Sequence, residues 1–236
     1  MPRSVRLMQR EKHGRKKQTP EYIIHTCLDR EWYVNDYLIP SMTEQGIPRK
    51  NIEVWLDDKG MGNLFSCMKC FEYCGTKTGG RWHLQDDVCI SSDFAEVTAK
   101  YDSGQVSGFM RHEWQSITPR EGFVPAVFMW NSFQCIRIPD EWAKECAEWF
   151  FTDAMWRDSY KGEVRDNKCD DSLYYDFVCE CHLDEMVLNL NPSIVEHIDF
   201  LLGGSVVNKW RGRPARGDLW VDDEAFENMK YKLARH

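Results

Sequence analysis

The chain predicts an α/β fold with a mostly parallel central sheet flanked by helices. Three observations point that way. The runs EYIIHTCLD (21–29) and NIEVWLDD (51–58) are β-branched and apolar, and both end in carboxylates. Between them lies a stretch of helical periodicity, and a third run, Arg81 to Leu84, closes on Gln85-Asp86-Asp87. Strands alternating with helices build open sheets, whose ligands sit beyond the carboxyl ends of the strands.

At 236 residues the chain is long enough to bury a substantial core, and one main domain is expected over residues 21–208, between a basic arm (1–20) and a basic, aromatic extension (209–236). Apolar residues make up 42%, with no run near the roughly 18 residues a membrane helix needs. The first residues are basic and lack the apolar middle of a signal peptide, so a cytoplasmic location is expected. Ten cysteines without a secretion signal are expected to be reduced thiols.

Taken in order, residues 21–29 give the first strand. A helix is predicted over 32–45, with Trp32, Tyr33, Tyr37, Leu38 and Met42 on its apolar face and a kink or early end at Pro40. The second strand is 51–58, KGMGN (59–63) a turn, and 64–73 a helix. Ser92 to Glu96 reads as a capped helix start, running to about Lys100, and QVSGFM (105–110) as a strand. Residues 111–125 form a long irregular segment with two prolines. One or two short strands are expected in 127–139, a helix over 139–157, and a loop feeding a helix over 168–182. Cys67-x-x-Cys70 has zinc-ligand spacing that Cys179, Cys181 and His182 would complete, but it also reads as one buried helix face.

The strand ends supply the chemistry. His25, Thr26 and Asp29 follow from the first strand, Asp57 and Asp58 from the second, and Gln85, Asp86 and Asp87 from the third, with Arg81 earlier in that run. Paired carboxylates suit Mg²⁺ or Mn²⁺, which neutralise a diphosphate; a solvated turn is the plainer use of an Asp-Asp pair. No Gly-x-Gly-x-x-Gly follows the first strand and no Walker lysine is present, which disfavours dinucleotide and ATP-loop folds.

Gln85-Asp86-Asp87, the acidic run CDDSLYYDF (169–177) and the later NPSIVEHIDF (191–200) occur in an order that resembles the GT-A glycosyltransferases, Rossmann-like enzymes with small bacterial and phage members. The resemblance spans roughly residues 22–208. It implies transfer from a nucleotide sugar, UDP-linked by default, with Mn²⁺ or Mg²⁺ as cofactor. Asp87 and His197 are then metal ligands, and His25, Thr26, Asp29, Asp57, Asp58, Arg81, Gln85 and Asp86 line the donor site. Asp171, with Asp170 as the fallback, is the base of an inverting reaction, a retaining outcome staying open. Gln85 departs from the usual Asp-x-Asp, which makes Asp87 the chief ligand. Without the resemblance, Asp170 or Asp171 reads as a helix cap and His197 as a hydrogen-bonded histidine beside the core.

Charge bears on the acceptor. Residues 1–17 carry seven Lys and Arg against Glu11, a net +6 in a chain of net −8, and KWRGRPARG (209–217) is a second basic cluster. Such segments attract polyanions, although solubilising tails look the same. Phage relatives of the pattern imply hydroxymethylated pyrimidines in DNA as acceptor, phage-encoded enzymes acting in the host cytoplasm. Arg111, His112, Trp114, Trp210 and Arg211 are the candidate acceptor residues, able to stack on or replace an extruded base. A surface glycan or protein acceptor, and a non-catalytic nucleic-acid-binding protein, are the competing expectations.

Overall fold

The computed structural model describes residues 20–109, 121–125, 133–152, 170–190, 193–198 and 202, with backbone only at 121–125, 171, 172 and 186. The arm 1–19, residues 110–120 and the extension 209–236 lie outside the described residues, and with them Arg111, His112, Trp114, Trp210 and Arg211.

The strands are β1 (Glu21–Cys27), β2 (Ile52–Asp57), β3 (Arg81–Gln85), β4 (Val88–Ile90), β5 (Val106–Ser107), β6 (Glu121–Pro125), β7 (Cys135–Ile138), β8 (Met186–Leu190) and β9 (Val195–His197). Seven form one sheet in the order β2-β1-β3-β7-β5-β8-β6, and β4 pairs with β9 apart from it. Strands β1, β2, β3, β5 and β8 run one way, and β6 and β7 the other. The fold is α/β, as expected, with a mixed sheet in which one direction predominates.

Helices cover both faces. α1 spans residues 31–44, α-helical over Glu31–Tyr33 and Ile39–Glu44 with a π-helical turn at Val34–Leu38 between them. α2 (Asn63–Cys74), α3 (Phe94–Thr98), α4 (Asp140–Thr152) and α5 (Asp170–Cys181) follow. Alternation along β1 and β3 divides two cores. Ile23 packs with Cys67, Phe71, Phe150 and Tyr174 beneath α2, α4 and α5. Tyr22, Ile24, Trp82 and Leu84 pack with Val34, Leu38, Met42 and Phe94 beneath α1 and α3. Period-two alternation sends neighbouring side chains to opposite faces, so one strand feeds both layers.

Several local expectations are refined. Pro40 does not end α1: the π turn takes up the register, with the Ile39 N–H donating to the Val34 carbonyl just before it. Asp93 does not cap α3; its carboxylate accepts the Ser91 hydroxyl, and Gln45 Oε1 accepts the Ala95 N–H instead. Glu121–Pro125, inside the segment read as irregular, is the edge strand β6 beside β8. Cys67, Cys70 and Cys74 are buried, as a helix face predicts.

Chain order creates a crevice. From β1 the chain crosses to β2 on one side and returns to β3 on the other, so the carboxyl ends of β1 and β3 part where connections leave in opposite directions. That is the usual ligand position in open α/β sheets.

Candidate active site

Asp86 and Asp87 occupy the turn joining β3 to β4, directly at this crevice. The turn is held on several sides. The Tyr33 hydroxyl donates to the Val88 carbonyl at 2.9 Å, and Ile198 N–H donates to the Asp87 carbonyl at 2.8 Å. The β4–β9 ladder sets Val88 opposite His197. Asp87 and His197 are 110 positions apart in the sequence, yet His197 Nε2 lies 3.0 Å from Asp87 Oδ2, donating to the carboxylate.

The two aspartates divide their roles. Asp86 Oδ2 accepts the Thr26 hydroxyl at 2.8 Å and the Cys27 N–H at 3.4 Å, so it fastens the end of β1 to the turn. Burial and the neighbouring charge of Asp87 raise its pKa against those bonds. Asp87 moves the other way. Burial pulls it up, but the bond to His197, its charge and that of Arg30 hold it below the ordinary carboxylate value. Its Oδ2 is bonded to His197, whereas its buried Oδ1 has no hydrogen-bond partner among the described residues. The Asp87 side chain is 18% exposed and that of His197 32%, so the pair is partly open to solvent.

Arg30, buried at 3%, was not singled out in the sequence. It sits in the turn after β1 and contributes positive charge to both aspartates. The signal was only an arginine next to Asp29 at a strand end, which is indistinguishable from a solvated turn.

The remaining candidates scatter. Asp57 is buried and accepts the Met61 and Gly62 N–H groups at 2.9 and 3.0 Å, closing the turn before α2; Gly62 has φ 89°, where a side chain is disfavoured. Asp29 and Asp58 are exposed. His25 points into the core under α2, sharing a 2.8 Å hydrogen bond with Ser66 Oγ. Arg81 is displaced from the crevice altogether. It begins β3, at the opposite end of the strand, where its guanidinium donates to Asp140 at 3.0 and 3.3 Å and lies 3.6 Å from Glu53. Its long side chain is consumed by burial there, so it holds α4 to the sheet.

Asp170 begins α5 and is buried. Asn63 Nδ2 donates to Oδ1 and Gln85 Nε2 to Oδ2, each at 2.9 Å. The side chain of Asp171, the next residue, lies outside the described residues. The sequence matches no protein-family model and no curated protein. Among the described residues no helix is long and apolar enough to cross a membrane.

Proposed function

We propose that the chain is a metal-dependent glycosyltransferase of the GT-A type, moving a sugar from a nucleotide-sugar donor, UDP-linked by default, to a hydroxyl. The favoured acceptor is 5-hydroxymethylpyrimidine in DNA. The carrying observation is the Asp87–His197 pair at the crevice between β1 and β3, joined from distant parts of the chain.

The donor set suits the ion this reading requires. Asp87 offers a buried oxygen with no partner among the described residues, beside an imidazole, a combination compatible with Mn²⁺ or Mg²⁺. Two protein ligands are enough when phosphate oxygens and water complete the shell, which is how Mg²⁺ is commonly held. Bound there, the cation supplies charge neutralisation for a leaving diphosphate.

The protein's own groups do the rest. Thr26 and the Cys27 amide hold Asp86, and with it the turn, against the end of β1. Arg30, although buried, adds positive charge beside both aspartates, which favours an anionic donor nearby. Asp170 accepts from Asn63 and Gln85 and fixes the first turn of α5. On the resemblance, Asp171 is the residue to accept the acceptor's proton while the hydroxyl oxygen displaces the diphosphate at the sugar carbon. The basic segments 1–17 and 209–217 favour a polyanionic acceptor.

Incubation with pooled nucleotide sugars and Mn²⁺, using duplex DNA bearing 5-hydroxymethylcytosine, tests this by mass spectrometry. A hexose mass increment on modified but not unmodified DNA is expected. Transfer only to a glycan or protein acceptor would replace the DNA acceptor, and no transfer to any acceptor, with no donor binding, would remove the enzyme reading.

A further inference from the structure

The core beneath α2 contains a polar cluster that the transferase reading does not use. His25 of β1, His83 of β3 and Cys67 of α2 are 6%, 1% and 0% exposed. One ligand-capable atom from each falls within 4.8 Å of the other two. Among the described residues this is the only such trio of His, Cys, Asp or Glu; Cys70, Cys179, Cys181 and His182 do not belong to it.

His83 is the feature that calls for an explanation. Neither ring nitrogen has a hydrogen-bond partner among the described residues, and the ring forms T-shaped contacts with Phe71 and Phe133, with ring centroids at 5.5 and 5.7 Å. A buried polar atom left unpaired is destabilising, and phenylalanine would fill such a site without that cost. Burial disfavours the charged form of both rings, and the neutral imidazole has a lone pair to offer. His25 has an outer partner in Ser66, whose Oγ also accepts from Trp55 Nε1 at 3.2 Å. Outer hydrogen bonds of this kind orient ligating imidazoles.

We propose that His25, Cys67 and His83 form a buried site for a thiophilic cation, Zn²⁺ in the first instance, separate from the hard-cation position at Asp87. Two imidazoles and a thiolate are a borderline-soft set that selects zinc over Mn²⁺ or Mg²⁺. The cation would give His83 a partner and join the three groups as one coordinated unit, tying β1 and β3 to α2 just below the crevice. The three side chains leave the fourth position of a tetrahedral zinc to a water, and burial leaves the ion no route to substrate, so the role is to hold the three elements together.

A small cavity of about 10 Å³ borders His83 on the side of Cys74, Arg81 and Asp140. It has room for a single water, which is the competing occupant for one ring nitrogen.

The test is elemental analysis of the full-length protein, purified without chelator or histidine tag, followed by refolding with Co²⁺ in place of zinc. About one zinc per chain, and a cobalt–thiolate charge-transfer band lost in Cys67→Ser but kept in Cys70→Ser, are expected. Should either variant fail to fold, the wild-type band and a zinc-dependent rise in the melting temperature carry the decision. Metal-free protein whose melting temperature is unmoved by zinc, or a cobalt band that survives Cys67→Ser, would overturn the site and leave water or simple packing around His83.

Discussion

Gln85 Nε2 donates to Asp170 Oδ2 across 2.9 Å, fastening the last residue of β3 to the first residue of α5. The residue that departs from Asp-x-Asp therefore has a structural partner, and an acid at position 85 would face a buried carboxylate. Gln85→Glu is expected to destabilise the fold by about 2 kcal/mol at neutral pH, because two carboxylates share one site. Adding Asp170→Asn should recover most of that loss. A urea double-mutant cycle measures it, and additive losses would show that the contact carries no energy.

Asp170→Ala leaves the amides of Asn63 and Gln85 without their acceptor and is expected to cost about 2–3 kcal/mol, since hydrogen bonds to a charged group are the strong ones. As a positioning residue it should lower turnover through α5 while leaving the pH profile of turnover in place. Loss of the ascending, acid-side limb of that profile in Asp170→Asn, with folding intact, would make Asp170 the base instead of Asp171.

Arg81→Ala should destabilise by about 3–5 kcal/mol, because it leaves Asp140, 2% exposed, as an uncompensated buried charge. Its KM for donor should stay within about twofold of wild type, as Arg81 lies at the far end of β3. Urea midpoints and donor kinetics separate the two effects, and a large KM change with unchanged stability would return Arg81 to the donor site.

Asp57 offers a further stability test. Asp57→Ala removes the acceptor for the Met61 and Gly62 amides and should cost about 1–3 kcal/mol. Asp57→Asn keeps one carbonyl acceptor and should cost less. Equal losses in the two variants, read from thermal melts, would mean that these hydrogen bonds do not determine the effect.

Strand–helix alternation, the buried faces of α2 and α4 and the grouping of polar residues at strand ends were legible because periodicity reports burial directly. The strand Met186–Leu190 is not assigned from sequence, since MVLNL is short and follows the helical run 170–182 closely, so that periodicity does not separate it from a buried helix end despite Asn191-Pro192 after it. The π turn in α1 follows from accommodating Pro40 in register, which a propensity rule reads as a break. Within the candidate site, the resemblance grouped Asp86, Asp87 and His197, which do meet in the structure, but gave no division of labour between the aspartates. That depends on Thr26 and His197 approaching from different strands, a tertiary fact without a local signature. Arg81 and His25 look like rim residues in one dimension; pleat direction and strand end put one against Asp140 and the other against Ser66.

The central claim is that Asp87 and His197 hold one divalent ion against a nucleotide diphosphate. Calorimetric titration of UDP into the protein, with and without Mn²⁺, tests it most directly in wild type, Asp87→Ala and His197→Ala. Binding that requires Mn²⁺ in wild type and weakens at least tenfold in each folded variant is the predicted result; UDP binding that ignores Mn²⁺, or that both variants retain, would contradict it.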